Sequence, residues 1–402
     1  MGGPRPGTRH QSVFTDESKL DLNYIPDHLP HREEELRFLR LLFRFALENP
    51  EEMSQRVLIT GPLGTGKTVL SQRLGLLLED EAWRRGVRLR YVHVNCRELR
   101  GSLFLILRRV VKVLQPGFPG RGYSPDEALE ALMERLEEEG CHLILCLDEV
   151  DALVEEEPEA LYKLTRIQEA RVGLPRRLSL ICITRRPETL ARLDPSTLST
   201  LQRNILRLRG YTKDQLLDIV RERALLAFRP GAVSPQSLEL ISELAAEEGG
   251  DARYAIDLMW RAGKYADRSY SPLVLPEHVR RAAVDLFPAL RREVLHSLTL
   301  HERLLLLAIA RYFKSSEEAY ARVGEVAETY RVICEEYGEE PRRTQLSRYL
   351  RTLGRAGIIS TRPSGAGGRG RSTLISLKGV PAEDLEREVM RWLEGEGGWV
   401  TR

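Results

Sequence analysis

At 402 residues, with 42% hydrophobic side chains, the chain exceeds what one hydrophobic core supports and predicts two or three globular domains. The formal charge of +2, drawn from 61 basic and 59 acidic residues, identifies no partner by itself, so the information lies in where the charges sit. No run of about 18 apolar residues occurs and the N-terminus MGGPRPGTRHQSVF lacks an apolar core, which argues against membrane insertion and secretion. Five cysteines (Cys96, Cys141, Cys146, Cys182 and Cys334) form no CxxC pair, and four lie inside apolar stretches; they read as buried, reduced thiols of an intracellular protein.

Residues 1 to about 30 are Pro/Gly-rich and polar and read as an extended arm. HREEELRFLRLLFRFALE follows with apolar residues three and four apart, a helical spacing. RVLIT (56–60) is a short β-branched run, followed by a glycine-rich turn and a helical pattern from Lys67 to about Glu81. LRYVHVNC (89–96), HLILCLDEV (142–150) and RLSLICIT (177–184) are further strand candidates with helical segments between them. Buried strands alternating with helices predict an α/β domain whose parallel sheet is covered on both faces. From Tyr211 to about Ala283 the pattern is wholly helical, and from Phe287 helical runs precede a Gly/Arg-rich hairpin. Three domains are expected: the arm and α/β domain over 1–210, a helical domain over 211–285, and a C-terminal domain over 286–402.

GPLGTGKT, Gly61 to Thr68, fits GxxxxGK[ST] and lies between a strand and a helix, the context that motif requires. Its backbone N–H groups would cradle phosphates where the helix dipole favours anions. Gly61, Pro62, Gly64, Thr65, Gly66, Lys67, Thr68 and Val69 are the expected contacts, with Lys67 reaching the β/γ-phosphates and Thr68 the Mg²⁺. HLILCLDEV delivers Asp148 and Glu149 at the end of an apolar strand, where ligands bind open α/β sheets. Asp148 would hold Mg²⁺ through water, and Glu149 would polarise an attacking water as general base.

Between Pro341 and Val380 there is no Asp or Glu, in a chain with 59 of them, yet eight arginines and Lys378 fall there. PRRTQLSRYLRTLGRAGII puts Leu346, Leu350 and Leu353 on one helical face and leaves Arg348, Arg351 and Arg355 away from it, as a recognition helix in a major groove requires. Gly357 would end that helix, and IISTRPSGAGGRGRSTLISL reads as two strands joined by a tip bearing Arg369 and Arg371, a basic wing suited to minor-groove or phosphate contact. The expected DNA contacts are Arg342, Arg343, Thr344, Gln345, Ser347, Arg348, Arg351, Arg369 and Arg371.

These motifs, in this order, resemble the AAA+ superfamily, and with a C-terminal winged helix they resemble the archaeal replication-initiator family related to eukaryotic origin-recognition and helicase-loading proteins. The resemblance implies a P-loop core, a helical lid and a winged-helix domain. LPHREEEL is similar to the family's segment that packs on the adenine, which makes Pro30, His31 and Arg32 nucleotide contacts. RGYTKDQLLDIVRERA resembles the entry into the lid and carries over Tyr211 and Arg223; GDARYAIDLMW carries over Arg253 as the lid arginine aimed at the γ-phosphate. The family's fourth strand normally ends in an Asn that helps position the lytic water, whereas ITRRPETL puts Arg185 near that position, so slow hydrolysis is expected. Arg192 and Arg203 are weak arginine-finger candidates, and Arg108 and Arg109 weak candidates for an additional DNA contact. The resemblance thus implies ATP or ADP with Mg²⁺, duplex origin DNA, a replicative helicase and other initiator protomers as partners, a cytoplasmic, nucleoid-associated location, and weak ATPase activity used as a switch. The rival readings are an AAA+ switch whose winged helix recruits protein, and a clamp-loader-like ATPase that binds DNA without sequence preference.

Overall fold

RVLIT forms β1 (Arg56–Thr60), which lies between β4 (Leu178–Thr184) and β5 (Ile205–Arg207); β2 (Leu89–Asn95) and β3 (His142–Asp148) complete a parallel sheet of order β2-β3-β4-β1-β5. The computed structural model describes residues 11–115, 117, 122–171, 173–286, 298–363 and 373–395. Every residue of β3 and β4 is buried, which is why both read as near-continuous apolar runs rather than alternating ones. Val57, Ile59, Ile144, Cys146, Ile181 and Ile183 face one side, under α1 (Glu33–Leu42), α2 (Phe45–Glu48) and α3 (Lys67–Arg85). Leu58, Leu143, Leu145, Leu147, Leu180 and Cys182 face the other, under α4 (Leu103–Leu114), α5 (Pro125–Glu138), α6 (Asp151–Glu156), α7 (Ala160–Ala170) and α8 (Pro195–Gln202). All five cysteines are buried thiols.

This sheet and its helices make one compact unit, Ile25–Gln215 with Gly249–Ala252; the described residues of Met1–Tyr24, Leu216–Glu248 and Arg253–Arg402 make the other. The second unit begins with the lid helices α9 (Lys213–Ala227), α10 (Pro235–Glu247), α11 (Ala252–Arg268) and α12 (Pro276–Leu286). Residues 11–24 of the arm, grouped by sequence with the nucleotide-binding domain, pack on these lid helices. The Phe14 ring lies 4.7 Å from that of Phe228, the Val13 N–H donates to Asp267 Oδ1 at 2.8 Å, and Trp260 Nε1 donates to Glu17 Oε1 at 2.6 Å.

The winged-helix part follows with α13 (Leu300–Ser315), β6 (Ala321–Arg322), α14 (Val323–Glu336), α15 (Leu346–Arg355), β7 (Ile359–Pro363), β8 (Thr373–Leu377) and α16 (Ala382–Gly395). Its antiparallel sheet has the order β6-β8-β7. α13 is its central helix, buried without a break from His301 to Ala310.

A polar seam joins the winged helix to the lid. Glu243 of α10 accepts from Tyr320 Oη at 2.8 Å and from Ser360 Oγ at 2.9 Å. The Arg362 guanidinium stacks 3.7 Å above the Tyr320 ring and pairs with Glu239 at 3.3 Å and Glu243 at 3.6 Å. Lys378 pairs with Glu247 at 2.9 Å. Arg280, only 1% exposed, donates to the carbonyls of Glu318 and Ala319 and pairs with Glu277, so its buried charge is compensated on several sides. Two of the nine cations in the acid-free segment, Arg362 and Lys378, therefore face lid carboxylates. A double-mutant cycle of Glu243→Ala and Arg362→Ala, read by denaturant unfolding of the full chain, is expected to give a coupling energy of about 1–3 kcal/mol; additive effects would show the pair to be a surface contact without energetic weight.

Candidate nucleotide site and nucleic-acid interface

Where β1 meets α3, the loop Gly61–Gly66 turns so tightly that side chains are excluded at specific points. Gly66, the N-cap of α3, has φ +87°, a left-handed conformation that glycine adopts without strain. A Cβ on Gly64 would lie 1.7 Å from Asp251 Oδ1. That approach has its cause in a distant segment: the turn Gly249–Ala252 packs on the loop, the Ala252 N–H donating to Gly64 O at 3.1 Å and the Tyr211 N–H to Gly250 O at 3.1 Å. Lys67 is buried and its ammonium donates to Gly61 O at 2.7 Å and Pro62 O at 2.5 Å, spanning the loop that would take the phosphates.

Thr68, in the first turn of α3, donates through Oγ1 to Asp148 Oδ2 at 2.6 Å. Burial of Asp148 by itself would raise its pKa, but hydrogen bonds from His93, Thr68 and the Glu149 N–H hold the carboxyl below its ordinary value. A hydroxyl and an ionised carboxylate side by side suit a hard divalent cation that keeps most of its water. His93 Nε2 lies 3.2 Å from the same Oδ2; it comes from the middle of β2, with no motif around it to flag it. Glu149 follows with φ +49°, and its carboxylate accepts from Arg185 Nη2 at 2.9 Å.

Of the residues carried over by resemblance, Arg32 and Tyr211 come together at the loop. The Arg32 guanidinium, 6% exposed, lies 4.1 Å above the Tyr211 ring and donates to Thr65 O at 3.2 Å and Arg209 O at 2.7 Å. Arg32 thus braces the phosphate loop against the segment after β5. Pro30 and His31 are half-buried beside it, His31 with φ +62°. Arg223 is buried in the other unit, donating to Lys19 O at 2.7 Å with its guanidinium 4.9 Å from the Tyr24 ring; these contacts tie the arm to α9. Arg253 is exposed near the start of α11. Arg192 and Arg203 are exposed; Arg108 is half-buried over the Phe104 ring, and Arg109 is exposed on α4.

The helix expected to enter a major groove, α15, is amphipathic. Leu346, Leu350 and Leu353 are buried together with Tyr349, while Arg342, Arg343, Thr344, Ser347, Arg348, Arg351 and Arg355 are exposed. Gln345 is half-buried and accepts from Tyr349 Oη at 3.1 Å, and Arg343 pairs with Glu328 of α14 at 3.1 Å. Strands β7 and β8 pair from Ile359↔Leu377 to Pro363↔Thr373 as the two sides of the wing. Arg369 and Arg371, expected from the sequence to lie at its tip, fall outside the described residues.

Comparison with known proteins agrees with this layout. Residues 52–184 match the AAA domain family, 217–284 the Cdc6 AAA+ ATPase-type lid domain and 293–387 the CDC6 C-terminal winged helix domain. The chain is 36% identical over 384 residues to ORC1-type DNA replication protein 2 of Sulfurisphaera tokodaii, covering 93% of this chain and 92% of that one. The chain belongs to the ORC1/Cdc6 family of DNA replication proteins. Among solved structures of this family, Cdc6p of Pyrobaculum aerophilum matches with TM-score 0.85 and 33% identity over 96% of this chain and all of that one. The Aeropyrum pernix ORC1 protein in complex with DNA matches with TM-score 0.62 and 32% identity, covering 94% and 97%. The Aeropyrum pernix ORC2 protein in ADPNP–ADP complexes matches with TM-score 0.63 and 26% identity, covering 96% and 99%.

Family membership makes this chain an ORC1/Cdc6-type replication initiator with an AAA+ domain, a lid and a winged helix. Among the described residues, no helix is long and apolar enough to cross a membrane.

Proposed function

We propose that this initiator binds ATP or ADP at Gly61–Val69, docks on duplex origin DNA through α15 and the wing, and helps recruit the replicative helicase. The observation that carries the reading is one chain holding both buried Lys67 and Asp148 joined through half-buried Thr68 at a helix N-terminus and a helix whose apolar face is buried while Arg348, Arg351 and Arg355 stand exposed. The ADPNP and ADP of the Aeropyrum pernix ORC2 complexes and the DNA of the ORC1 complex support the two halves separately. Thr68 and Asp148 would hold Mg²⁺, which supplies charge neutralisation to the phosphates. Glu149 takes the general-base position, and Arg253 the role of lid arginine towards the terminal phosphate. Pro30, His31, Arg32 and Tyr211 would line the base side, with Arg32 acting chiefly by bracing the loop.

Fluorescence anisotropy with labelled origin duplex and a scrambled duplex, across a salt series, tests the DNA half. Tighter binding to the origin duplex is expected, with log affinity falling by roughly 0.9 per log salt for each phosphate contact. Equal binding to both duplexes would favour a clamp-loader-like ATPase, and no binding at low salt would leave the winged helix as a protein-contact module.

A further inference from the structure

Glu149 takes the general-base position in the proposed nucleotide site, and its carboxylate is already engaged in an ion pair. β3 and β4 are parallel neighbours with Leu147 opposite Cys182, so their C-terminal ends bring Glu149 and Arg185 onto the same edge of the sheet. Two contacts fix the exit from β4: Thr184 Oγ1 donates to Asp151 Oδ1, and the Arg185 N–H donates to Asp151 Oδ2 at 3.4 Å. The exit from β3 is fixed by the Glu149 N–H, which donates to Asp148 Oδ1 at 2.8 Å, and by the left-handed backbone of Glu149. Between these two anchored backbones the Arg185 guanidinium reaches Glu149 Oε1 at 2.9 Å, an ion pair with 37% and 27% of the two side chains exposed. Next to it, Arg186 pairs with Glu155 and so does not compete for Glu149.

We propose that Arg185 is a positioning residue that restrains Glu149 and thereby keeps bound ATP intact. The inference rests on the nucleotide-binding reading above. In hydrolysis the water oxygen bonds to the γ-phosphorus, the bond from that phosphorus to the β,γ-bridging oxygen breaks to leave ADP, and the water's proton passes to a carboxylate oxygen. With Oε1 held by a guanidinium, the carboxylate is turned towards Arg185 and its charge is partly compensated, so turnover requires the pair to open first. A neutral side chain at position 185 removes that requirement; lysine retains the charge.

The test uses the full chain with Arg185→Asn, Arg185→Gln and Arg185→Lys. Affinity is read with a fluorescent ADP analogue, and phosphate release is followed at saturating Mg·ATP. The two neutral variants are expected to raise kcat about tenfold, a modest part of what a positioned general base contributes. KM and ADP affinity should stay within about twofold of the parent, and the lysine variant should keep the parent rate. Neutral variants that fold and bind ADP but turn over no faster overturn the proposal. A fall in kcat with a rise in KM would instead assign Arg185 to the phosphates. Failure of the parent chain to bind the ADP analogue would remove the nucleotide reading and this inference together, whereas binding with unchanged turnover removes only the inference.

Discussion

Replacing Arg348 and Arg351 together by alanine is expected to weaken origin-duplex binding by roughly 100-fold at physiological salt, since a good arginine contact to a base edge is worth about 1–3 kcal/mol. The two side chains stand on the solvent side of α15, whose opposite side buries Leu346, Tyr349, Leu350 and Leu353. Their loss therefore leaves the winged-helix core intact, and the unfolding free energy should change by no more than about 0.5 kcal/mol. The salt series separates the two ways these arginines can act. A slope shallower by about 0.9 per arginine, with origin and scrambled duplex affected alike, assigns them to phosphates. Lost discrimination between the duplexes assigns them to bases. Arg343→Ala should have a smaller effect than either, because Glu328 already compensates that charge at 3.1 Å. Unchanged binding in the double variant would move the DNA contact off α15 altogether.

What could be read in the sequence was whatever rests on local pattern. The P-loop lies within eight consecutive residues, β3 and β4 are near-continuous apolar runs, and α15 has its leucines at helical spacing. Each of these carries its structural cause in its own segment. The elements that escaped have causes elsewhere in the chain. β5 is three half-exposed or exposed residues that become a strand only because β1 offers a free parallel edge. The arm packs with the lid because Phe14 finds Phe228 and Glu17 finds Trp260, more than 200 residues away in each case. His93 reaches Asp148 across neighbouring strands, a contact set by sheet register rather than by any motif. Charge counting has the same limit. The acid-free stretch from Pro341 to Val380 is real, yet the carboxylates that neutralise Arg362 and Lys378 come from α10, more than 110 residues earlier in the chain, contacts set by the fold and not by local sequence.

Lys67→Ala is expected to reduce ADP and ATP affinity by at least about 100-fold, in line with the 2–5 kcal/mol that truncating one partner of a desolvated charged hydrogen-bonded pair typically costs. Lys67 is 7% exposed, and its ammonium now satisfies two loop carbonyls, Gly61 O and Pro62 O. Those contacts also help to hold the loop in shape: a cation between the two carbonyls offsets the crowding of carbonyl dipoles that the tight turn produces. Phosphates at the α3 N-terminus would compete for the same ammonium, with a full negative charge where the carbonyls offer only a dipole. The alanine variant loses that attraction and leaves both carbonyls without their donor, so ligand-free stability should fall as well, by about 1–2 kcal/mol. Thermal unfolding separates the two effects. The parent chain is stabilised by roughly 2.7 kcal/mol at an ADP concentration 100 times its Kd, and the variant should show a lower starting midpoint and no upward shift with ADP. A variant that starts lower yet still shifts with ADP would mean that backbone N–H groups of Gly64 to Val69 carry the phosphate affinity and that Lys67 serves the loop alone.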